Sequence, residues 1–464
     1  MKPVLFNILI FILCIITLCS LGIYNGFPFV FNSDTAVYLE EAYYKVLHPE
    51  RPAIYGLFLQ IFSLDYSLWL VILTQAMMIT IIIFLAFKHL GSRKVQEFRW
   101  YFLTFILIVS LGMGASFNVS RLMADVFTPV CVISVGILLF GRNVKLIDRI
   151  LLILFTLIGV SMHNTNMYVC IGSIFIVWLI NEYSSITNRL VPFKKFTLTL
   201  TIVFNGLLFS VTIHYLNWQE FKTPRGGAVF LFANMVEMGI VDQYLKEHCE
   251  KNDYKICEYK KDIPNNFLWA DNSPMNKTGG WVANEQEYKE ILIDILKHPK
   301  YLFELAYKSI LLTGKQFFMY DIGGVFIPSE RIDETVRRFF PDDFSSYMSS
   351  KQHQDTSDFQ FINYTQNVIV GVSFLFIFIV LVQGYKTTNE IRLLCLYILI
   401  ALLVNAFICG TVSGAFFRYQ NRLVWLLPLP LFIHLSNLFY FNKSKREKST
   451  PSSTHRLNLI SYEK

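Results

Sequence analysis

Apolar runs of about 20 residues recur along this chain and limit the folds that are open to it. In helical conformation, that length is needed to cross the hydrocarbon core of a bilayer. The composition agrees, because 54% of the residues are hydrophobic and only 16% are charged, which is too apolar for a soluble domain. The sequence therefore predicts an all-α polytopic membrane protein.

The hydrophobic pattern predicts about 10 transmembrane helices. A further stretch, 300–320, carries Glu304, Lys308 and Lys315, and we expect an amphipathic helix there that lies on or dips into the membrane. As an eleventh span, this stretch would place the basic C-terminal tail outside, against the charge bias. The predicted spans lie near residues 4–24, 67–87, 100–117, 123–140, 149–162, 165–181, 196–217, 365–384, 392–411 and 423–441.

Lysines and arginines in the short loops predict the orientation, because cytoplasmic loops carry an excess of both. Basic loops, such as those with Lys88 and Arg99 or with Arg142 and Lys145, alternate with loops that hold few basic residues. Both termini are therefore expected in the cytoplasm, and the loop at 25–66 is expected on the opposite side.

The chain is expected to divide into four parts. The parts are an N-terminal transmembrane module (1–217), an external soluble or interfacial region (218–364), the C-terminal transmembrane helices (365–441) and a basic cytoplasmic tail (442–464). The external region is acidic and the rest is basic, so the net charge of +7 reflects positive-inside loops and indicates no nucleic-acid partner. Cys249 and Cys257 lie in the external region, and both a disulfide and two free thiols stay open there.

The loop at 25–66 holds ionisable groups beside the membrane, where charges are costly and mark candidate functional sites. A helix is predicted over 33–47, in which Asp34, Tyr38 and Glu41 share one face. Asp34 lies near the start of this helix, where it serves either as a functional group or as a helix cap.

Two further candidate groups are expected on the external side. Arg121 and Asp125 lie at the external start of the fourth span, where the acid holds an acceptor or a metal, or simply lies at a helix start, and the arginine could meet a phosphate. His163 lies in the turn between the fifth and sixth spans, as a phosphate contact or proton shuttle, or as an ordinary turn residue.

Arg418, Tyr419 and Arg422 precede the tenth predicted span. The two arginines are spaced i, i+4 and share a helix face. Guanidinium groups match phosphate oxygens bidentately, although arginines beside a membrane also reach for lipid headgroups. Because the positive-inside bias disfavours two arginines in a short external loop, we expect them to bind phosphate.

The segment Arg51-Pro52-Ala53-Ile54-Tyr55-Gly56 follows the acidic helix and opens a second short helix. This layout resembles the first external loop of the GT-C superfamily of membrane glycosyltransferases, in particular bacterial members similar to protein O-mannosyltransferases and the lipid A aminoarabinose transferase. Those members have an Arg-Pro-Pro-x-Tyr-Pro-like segment, two of whose prolines are replaced here. They often have a paired acid, whereas Asp34 is flanked by Ser33 and Thr35, so the resemblance leaves a divalent metal open.

The resemblance implies a GT-C-like fold with interfacial helices in the first external loop, in the inner membrane of a bacterium. It implies a glycosyltransferase that moves a sugar, with inversion, from a polyprenyl-phosphate donor to a glycan, lipid or protein acceptor on the extracytoplasmic face. Asp34 would be the catalytic base. Arg51, Tyr55, Arg121, Asp125, His163, Arg418, Tyr419 and Arg422 would bind substrate, and no cofactor is certain.

Two other functions compete with this interpretation. An O-antigen polymerase or ligase would share the topology, the external arginines and a lipid-linked substrate, but it would leave the acid of the first loop without a clear task. A transporter or lipid flippase would place ionisable residues in the middle of its spans, whereas here they gather at one side.

Overall fold

The computed structural model describes residues 3–48, 51–91, 94–183, 189–219, 227–383, 385 and 387–438, and the predicted tail at 442–464 lies outside them. Over these ranges the protein is all-helical, as predicted. Within these ranges, the only β-type pairing of extended backbone is an isolated bridge between Phe29 and Arg121. Phe29 donates its N–H to the Ser120 carbonyl (2.8 Å) and accepts from Leu122 N–H (2.9 Å). This bridge ties the loop after the first helices to the segment before the fourth predicted span.

The described helices follow one another in chain order. They are α1 (Pro3–Leu18), α2 (Ser20–Asn25), α3 (Asn32–Leu39), α4 (Ile54–Ser63), α5 (Trp69–Leu90), α6 (Val95–Leu111), α7 (Ala115–Val119), α8 (Phe127–Phe140), α9 (Leu146–Met162), α10 (Asn164–Tyr183), α11 (Phe193–Trp218), α12 (Gly227–Glu237), α13 (Ile240–His248), α14 (Pro274–Lys277), α15 (Gly280–Lys297), α16 (Pro299–Phe318), α17 (Glu330–Phe339), α18 (Pro341–Met348), α19 (Gln360–Leu381), α20 (Asn389–Val412) and α21 (Arg418–Val424). The structure also has a π-helical turn (Glu40–Tyr44), two 3₁₀ turns (Ala124–Val126, Lys255–Tyr259) and a helical run at 429–438.

Each of the ten predicted spans falls on one helix or on two consecutive ones, and the last falls on α21 and a helical run at 429–438. By length and composition, five of the described helices could cross a membrane, namely α5, α10, α11, α19 and α20. The pair α12 and α13 meets the same criterion only if the two helices are counted as one span, and they are bent by 89° relative to each other. The protein therefore has the helices of an integral membrane protein, while the larger span count stays a prediction.

Burial separates central helices from peripheral ones. Nearly every residue of α8 is buried, which is typical of a helix that is apolar on all sides and packed inside a bundle. By contrast, α19 exposes large apolar side chains, among them Phe361, Val368 and Val372. Such an exposed apolar face is costly in water but not against lipid.

Helix α16 covers most of the stretch 300–320 and packs along α20. The two backbones approach closely, because a Cβ atom at Gly410 would lie 2.9 Å from the Leu312 carbonyl oxygen. The other side of α16 exposes Phe303, Tyr307 and Ile310. Together with its charged residues, this makes α16 amphipathic, and it is not among the helices apolar enough to span by composition.

Residues 227–297, here called the cap, have a hydrophobic core of their own. Phe232 of α12 stacks on Tyr288 of α15 with ring centroids 4.1 Å apart. A disulfide joins Cys249 to Cys257, which resolves the alternative left open by the sequence. Asn234 of α12 donates to the Gly410 carbonyl at 2.9 Å, so the cap is fixed to the end of α20.

Candidate functional site

Asp34 lies in the first turn of α3, one helical turn before Tyr38. The helix begins after Phe31, whose side chain provides no cap, and it ends at Leu39 instead of continuing to 47 as predicted. The chain then turns through the π-helical segment Glu40–Tyr44. Asp34, Tyr38 and Glu41 are all buried, so the face predicted from their spacing points into the protein.

Close packing of α4 explains why this face is buried. A Cβ atom at Gly56 would lie 2.8 Å from Glu41 Cβ and 3.0 Å from the Tyr38 carbonyl oxygen. Only glycine permits this approach of α4 to the acidic helix. Gly56 therefore has a packing role here.

Two arginines bind the Asp34 carboxylate. Arg51 Nη2 lies 2.5 Å from Asp34 Oδ1, and Arg418 Nη1 donates to Asp34 Oδ2. The Arg418 guanidinium also lies over the rings of Phe31 (4.7 Å) and Tyr419 (4.8 Å). Aromatic faces attract a cation and hold its plane in position. The structure thus brings together three residues that the sequence predicted for the site from separate segments.

A second ion network joins Arg422, Asp125 and Arg121. Arg422 Nη1 donates to Asp125 Oδ1 at 2.7 Å, and Arg121 Nη2 lies 3.4 Å from Asp125 Oδ2. Arg422 also donates to Asn405 Oδ1 at 2.8 Å. All three charged side chains are fully buried. The network joins α21 to the start of α8. Separating the two would leave charges buried without partners, which is costly.

His163 lies at the edge of this second network. Its Nδ1 accepts the backbone N–H of Thr165 (3.2 Å) and meets the Thr165 hydroxyl at 2.8 Å. That hydroxyl accepts from Arg422 Nη2 at 3.1 Å. Burial, and then the positive charge of Arg422, lower the pKa of His163 to about 3. The imidazole is therefore neutral at physiological pH and is a hydrogen-bonding group there rather than a cation.

Tyr55 is fully buried and faces Tyr38, with ring centroids 4.7 Å apart. Its hydroxyl donates to Gln75 Oε1 at 2.7 Å, and Gln75 Nε2 donates to the Val119 carbonyl at 2.7 Å. Tyr55 thus connects the first loop to the segment before Arg121. In the structure it orders the loop and does not line the cavity described next.

A cavity of about 700 Å³ opens at the ion cluster formed by Asp34, Arg51 and Arg418. Its lining is mostly apolar and aromatic, with Asp34, Arg51, Arg418 and Tyr419 on one wall. The remaining lining residues are Phe31, Phe230, Glu237, Asn266, Leu268, Trp269, Gly323, Gly324, Phe326, Ser413, Phe416 and Phe417. Ligand sites have this size and this combination of an apolar wall with a few convergent polar groups.

The segments around the cavity are fixed by side-chain bonds to the backbone. Gln316 of α16 accepts from Phe416 N–H (2.8 Å) and donates to the Phe416 carbonyl (2.9 Å). Asn421 donates to the Tyr320 carbonyl at 2.7 Å. A Cβ atom at Gly323 would lie 3.2 Å from the Phe417 ring, so the glycine lets this ring pack against the opposite loop.

Five lining residues belong to the cap and were not predicted, namely Phe230, Glu237, Asn266, Leu268 and Trp269. A signal was present for Glu237, because an acid ends the otherwise apolar run of α12. No spacing rule connects Asn266 or Trp269 to residues more than two hundred positions away. Their place in the wall follows from how the cap docks on the helices.

A metal site was left open by the sequence. Within the described ranges, no group of three or more His, Cys, Asp and Glu side chains converges as a metal ion would require. The carboxylates of Asp34 and Asp125 are each bound by arginines.

No family model, curated protein or solved structure matches this chain.

Proposed function

We propose that this protein is a membrane glycosyltransferase that transfers a sugar from a polyprenyl-phosphate donor to an acceptor on the extracytoplasmic face. The proposal includes the larger set of about ten spans, a GT-C-like arrangement, a bacterial inner membrane and cytoplasmic termini. It rests mainly on one observation, which is that Asp34, Arg51 and Arg418 meet at the wall of a large, mostly apolar cavity.

The cavity suits the head of a lipid-linked sugar. Arg51 and Arg418 supply two guanidinium groups for one carboxylate, so this wall carries an excess of positive charge. Guanidinium groups bind phosphate oxygens in fixed geometry. Apolar and aromatic surface around a phosphate-binding wall would accept the first isoprene units, which repel water.

An apolar groove of about 540 Å³ lies along α10, α16 and α20. Its lining includes Phe317 of α16 and Phe407 of α20. The neighbouring Gln316 binds Phe416, which lines the cavity, so this contact connects the helix that lines the groove to the cavity wall. This proximity supports a lipid chain in the groove with its phosphate at Arg418.

The salt bridge between Asp34 and Arg418 suggests how binding of the donor would prepare Asp34 for the reaction. A donor phosphate that takes over Arg418 weakens the hold on Asp34 and leaves its carboxylate more basic. Asp34 then accepts the proton of an acceptor hydroxyl, while that oxygen forms a bond to the anomeric carbon. The bond from this carbon to the phosphate oxygen breaks, and the arginines stabilise the departing polyprenyl phosphate. Attack opposite the phosphate inverts the anomeric carbon.

Two further findings support this function. The Cys249–Cys257 disulfide fits a cap outside the cytoplasm, since disulfides persist in oxidising compartments. The buried charges of Asp34, Arg51 and Arg418 lie outside the five helices that could span by length and composition and outside the ten predicted spans. A transporter path would need such charges within its spans, so their location favours an enzyme at the membrane surface.

The experiment that tests the function uses the lipid pool of the producing cell, so it requires neither the sugar nor the acceptor to be identified first. Cells without the gene are expected to accumulate a polyprenyl-phosphate-linked sugar, detected by lipid mass spectrometry. The wild-type protein should clear it, and the Asp34→Asn protein at equal abundance should not. An unchanged lipid pool in the deletion strain, or clearance by Asp34→Asn, would contradict the proposal.

Donor binding is tested separately with undecaprenyl phosphate and the purified protein in nanodiscs. We expect Arg418→Ala to weaken binding at least tenfold, which corresponds to about 1.4 kcal/mol. Arg337→Ala is the matched control, because Arg337 is exposed and its guanidinium also lies over a phenyl ring, that of Phe344 at 4.8 Å. Equal affinities for the Arg418→Ala and wild-type proteins would remove the phosphate role of Arg418.

A further inference from the structure

We infer that the cap wall of the cavity is the acceptor subsite and that the acceptor is a saccharide. This inference rests on the proposed function and names the substrate class that the sequence left open among glycan, lipid and protein. The cap residues in the wall are Phe230, Glu237, Asn266, Leu268 and Trp269. They face the cavity that Asp34 and Arg418 line from the membrane part.

The cap wall combines the indole of Trp269 with the polar side chains of Glu237 and Asn266. Trp269 is 48% exposed although it lines a cavity. The Glu237 carboxylate and the Asn266 side-chain amide make no hydrogen bond or ion pair with any residue in the described ranges. Polar groups in a cavity without protein partners are available to a ligand.

The position of Glu237 is fixed by the fold. It lies one helical turn after Asn234, which binds the carbonyl oxygens of Gly410 and Thr411 at 2.9 and 2.5 Å. The turn that follows α20 adopts a positive φ at Gly414, and a Cβ atom there would lie 3.8 Å from Glu237 Oε2. The carboxylate is thus placed beside the segment that leads directly to Phe416 and Arg418.

This chemistry fits a sugar ring better than the other two acceptor classes. The apolar face of a pyranose packs on an indole, while its hydroxyls both donate to a carboxylate and exchange hydrogen bonds with an amide. An acyl chain would exclude water from Glu237 and Asn266 and offer neither group a hydrogen-bond partner, which is unfavourable for buried polar groups. A folded protein docks through a surface that buries about 1,000 Å² or more, whereas this wall lines a cavity of about 700 Å³.

The geometry also orients the reaction. A saccharide on Trp269 would present a hydroxyl across the cavity to Asp34, while the donor phosphate lies at Arg418. Glu237 and Asn266 would then determine which hydroxyl is presented, so we assign them to specificity and not to bond breaking.

Photocrosslinking in the producing cell captures the acceptor directly at the cap wall. Trp269→p-benzoylphenylalanine keeps an aromatic group in the wall and forms a covalent bond with what lies against it. We expect adducts with the mass of sugar residues at this position. Leu296→p-benzoylphenylalanine is the matched control, because Leu296 is 45% exposed on the cap but does not line the cavity. We expect no saccharide adduct there.

Two additional variants test the polar contacts. Glu237→Gln and Asn266→Ala, each combined with the photocrosslinker at 269, should lower the yield of saccharide adduct at least fivefold and leave undecaprenyl phosphate binding unchanged. If the protein binds undecaprenyl phosphate but position 269 captures only peptide or acyl chains, or nothing, the saccharide subsite is wrong and the transferase proposal stands. If undecaprenyl phosphate does not bind at all, the proposed function fails and this inference with it.

Discussion

Asp34 and Arg418 lie 384 positions apart in the chain and form a salt bridge at the cavity wall, with Arg51 on the second oxygen of the same carboxylate. Asp34 is 1% exposed, so the bridge is shielded from bulk water. In such surroundings the attraction between two opposite charges is strong, and removing one partner leaves the other charge buried and uncompensated. The same bridge makes Asp34 a competitor of any anion that binds Arg418.

The first prediction follows from this competition. In the Asp34→Asn protein, Arg418 loses its carboxylate partner, so undecaprenyl phosphate should bind about tenfold more tightly than to the wild type. Clearance of the lipid-linked sugar should fall about 100- to 10,000-fold, the range typical for loss of a general base. Tighter binding together with lost turnover separates a base that competes with the donor from a residue that only maintains the fold. Weaker donor binding by Asp34→Asn would contradict the competition.

The sequence predicted that Asp34, Arg51 and Arg418 belong to one site, because charge bias in the loops placed all three on the same side of the membrane. It also placed Arg418 and Arg422 together, and both guanidiniums do lie over the Tyr419 ring, at 4.8 and 5.5 Å. Their partners differ, since one meets Asp34 and the other Asp125. Helical spacing fixes which residues share a face but not which distant segment packs on it.

The cap shows the same limit. The sequence predicted an external region at 218–364, but the contact between Asn234 and the end of α20 joins residues 176 positions apart. Periodicity within α12 carries no information about that contact. The part of the site that came from the cap, Glu237 and Trp269 above all, therefore needed the three-dimensional structure.

The second prediction concerns the buried pair of Arg422 and Asp125. Arg422→Gln leaves the Asp125 carboxylate buried with only the longer contact to Arg121, which should lower the free energy of unfolding by about 3–5 kcal/mol. Arg418→Gln should cost less, because this side chain lines a cavity into which water can enter. Thermal unfolding in detergent measures both. Equal losses for the two variants would show that Arg422 has no special structural role.

The third prediction concerns the disulfide of the cap. Cys249 and Cys257 close a loop of nine residues, for which the chain-entropy estimate is a stabilisation of about 2–3 kcal/mol. The double variant Cys249→Ser and Cys257→Ser should therefore expose the cap to limited proteolysis at lower temperature than the wild type. Cys409→Ser is the matched control, since Cys409 is a buried free thiol. In unreduced, denatured protein, maleimide labelling should modify the six free cysteines and spare this pair.

The fourth prediction is a pH dependence that comes from His163. Its pKa is lowered in the folded protein to about 3, mainly by burial, from an ordinary value near 6.5. The unfolded chain therefore binds a proton between these two values and the folded protein does not, so the stabilising contribution is complete above pH 6.5 and is lost as the pH falls. Between pH 7.5 and pH 5 the loss should reach about 2 kcal/mol.

The test of the fourth prediction compares His163→Gln with the wild type at both pH values. The glutamine does not titrate. Lowering the pH from 7.5 to 5 should therefore reduce the melting temperature of the wild type more than that of the variant. Thermal unfolding in the same detergent at fixed ionic strength isolates this difference from the titration of other groups, which both proteins share. A difference that stays constant over this range would mean that His163 has the same pKa in the folded and the unfolded protein, and the lowered pKa of the imidazole beside Arg422 would have to be given up.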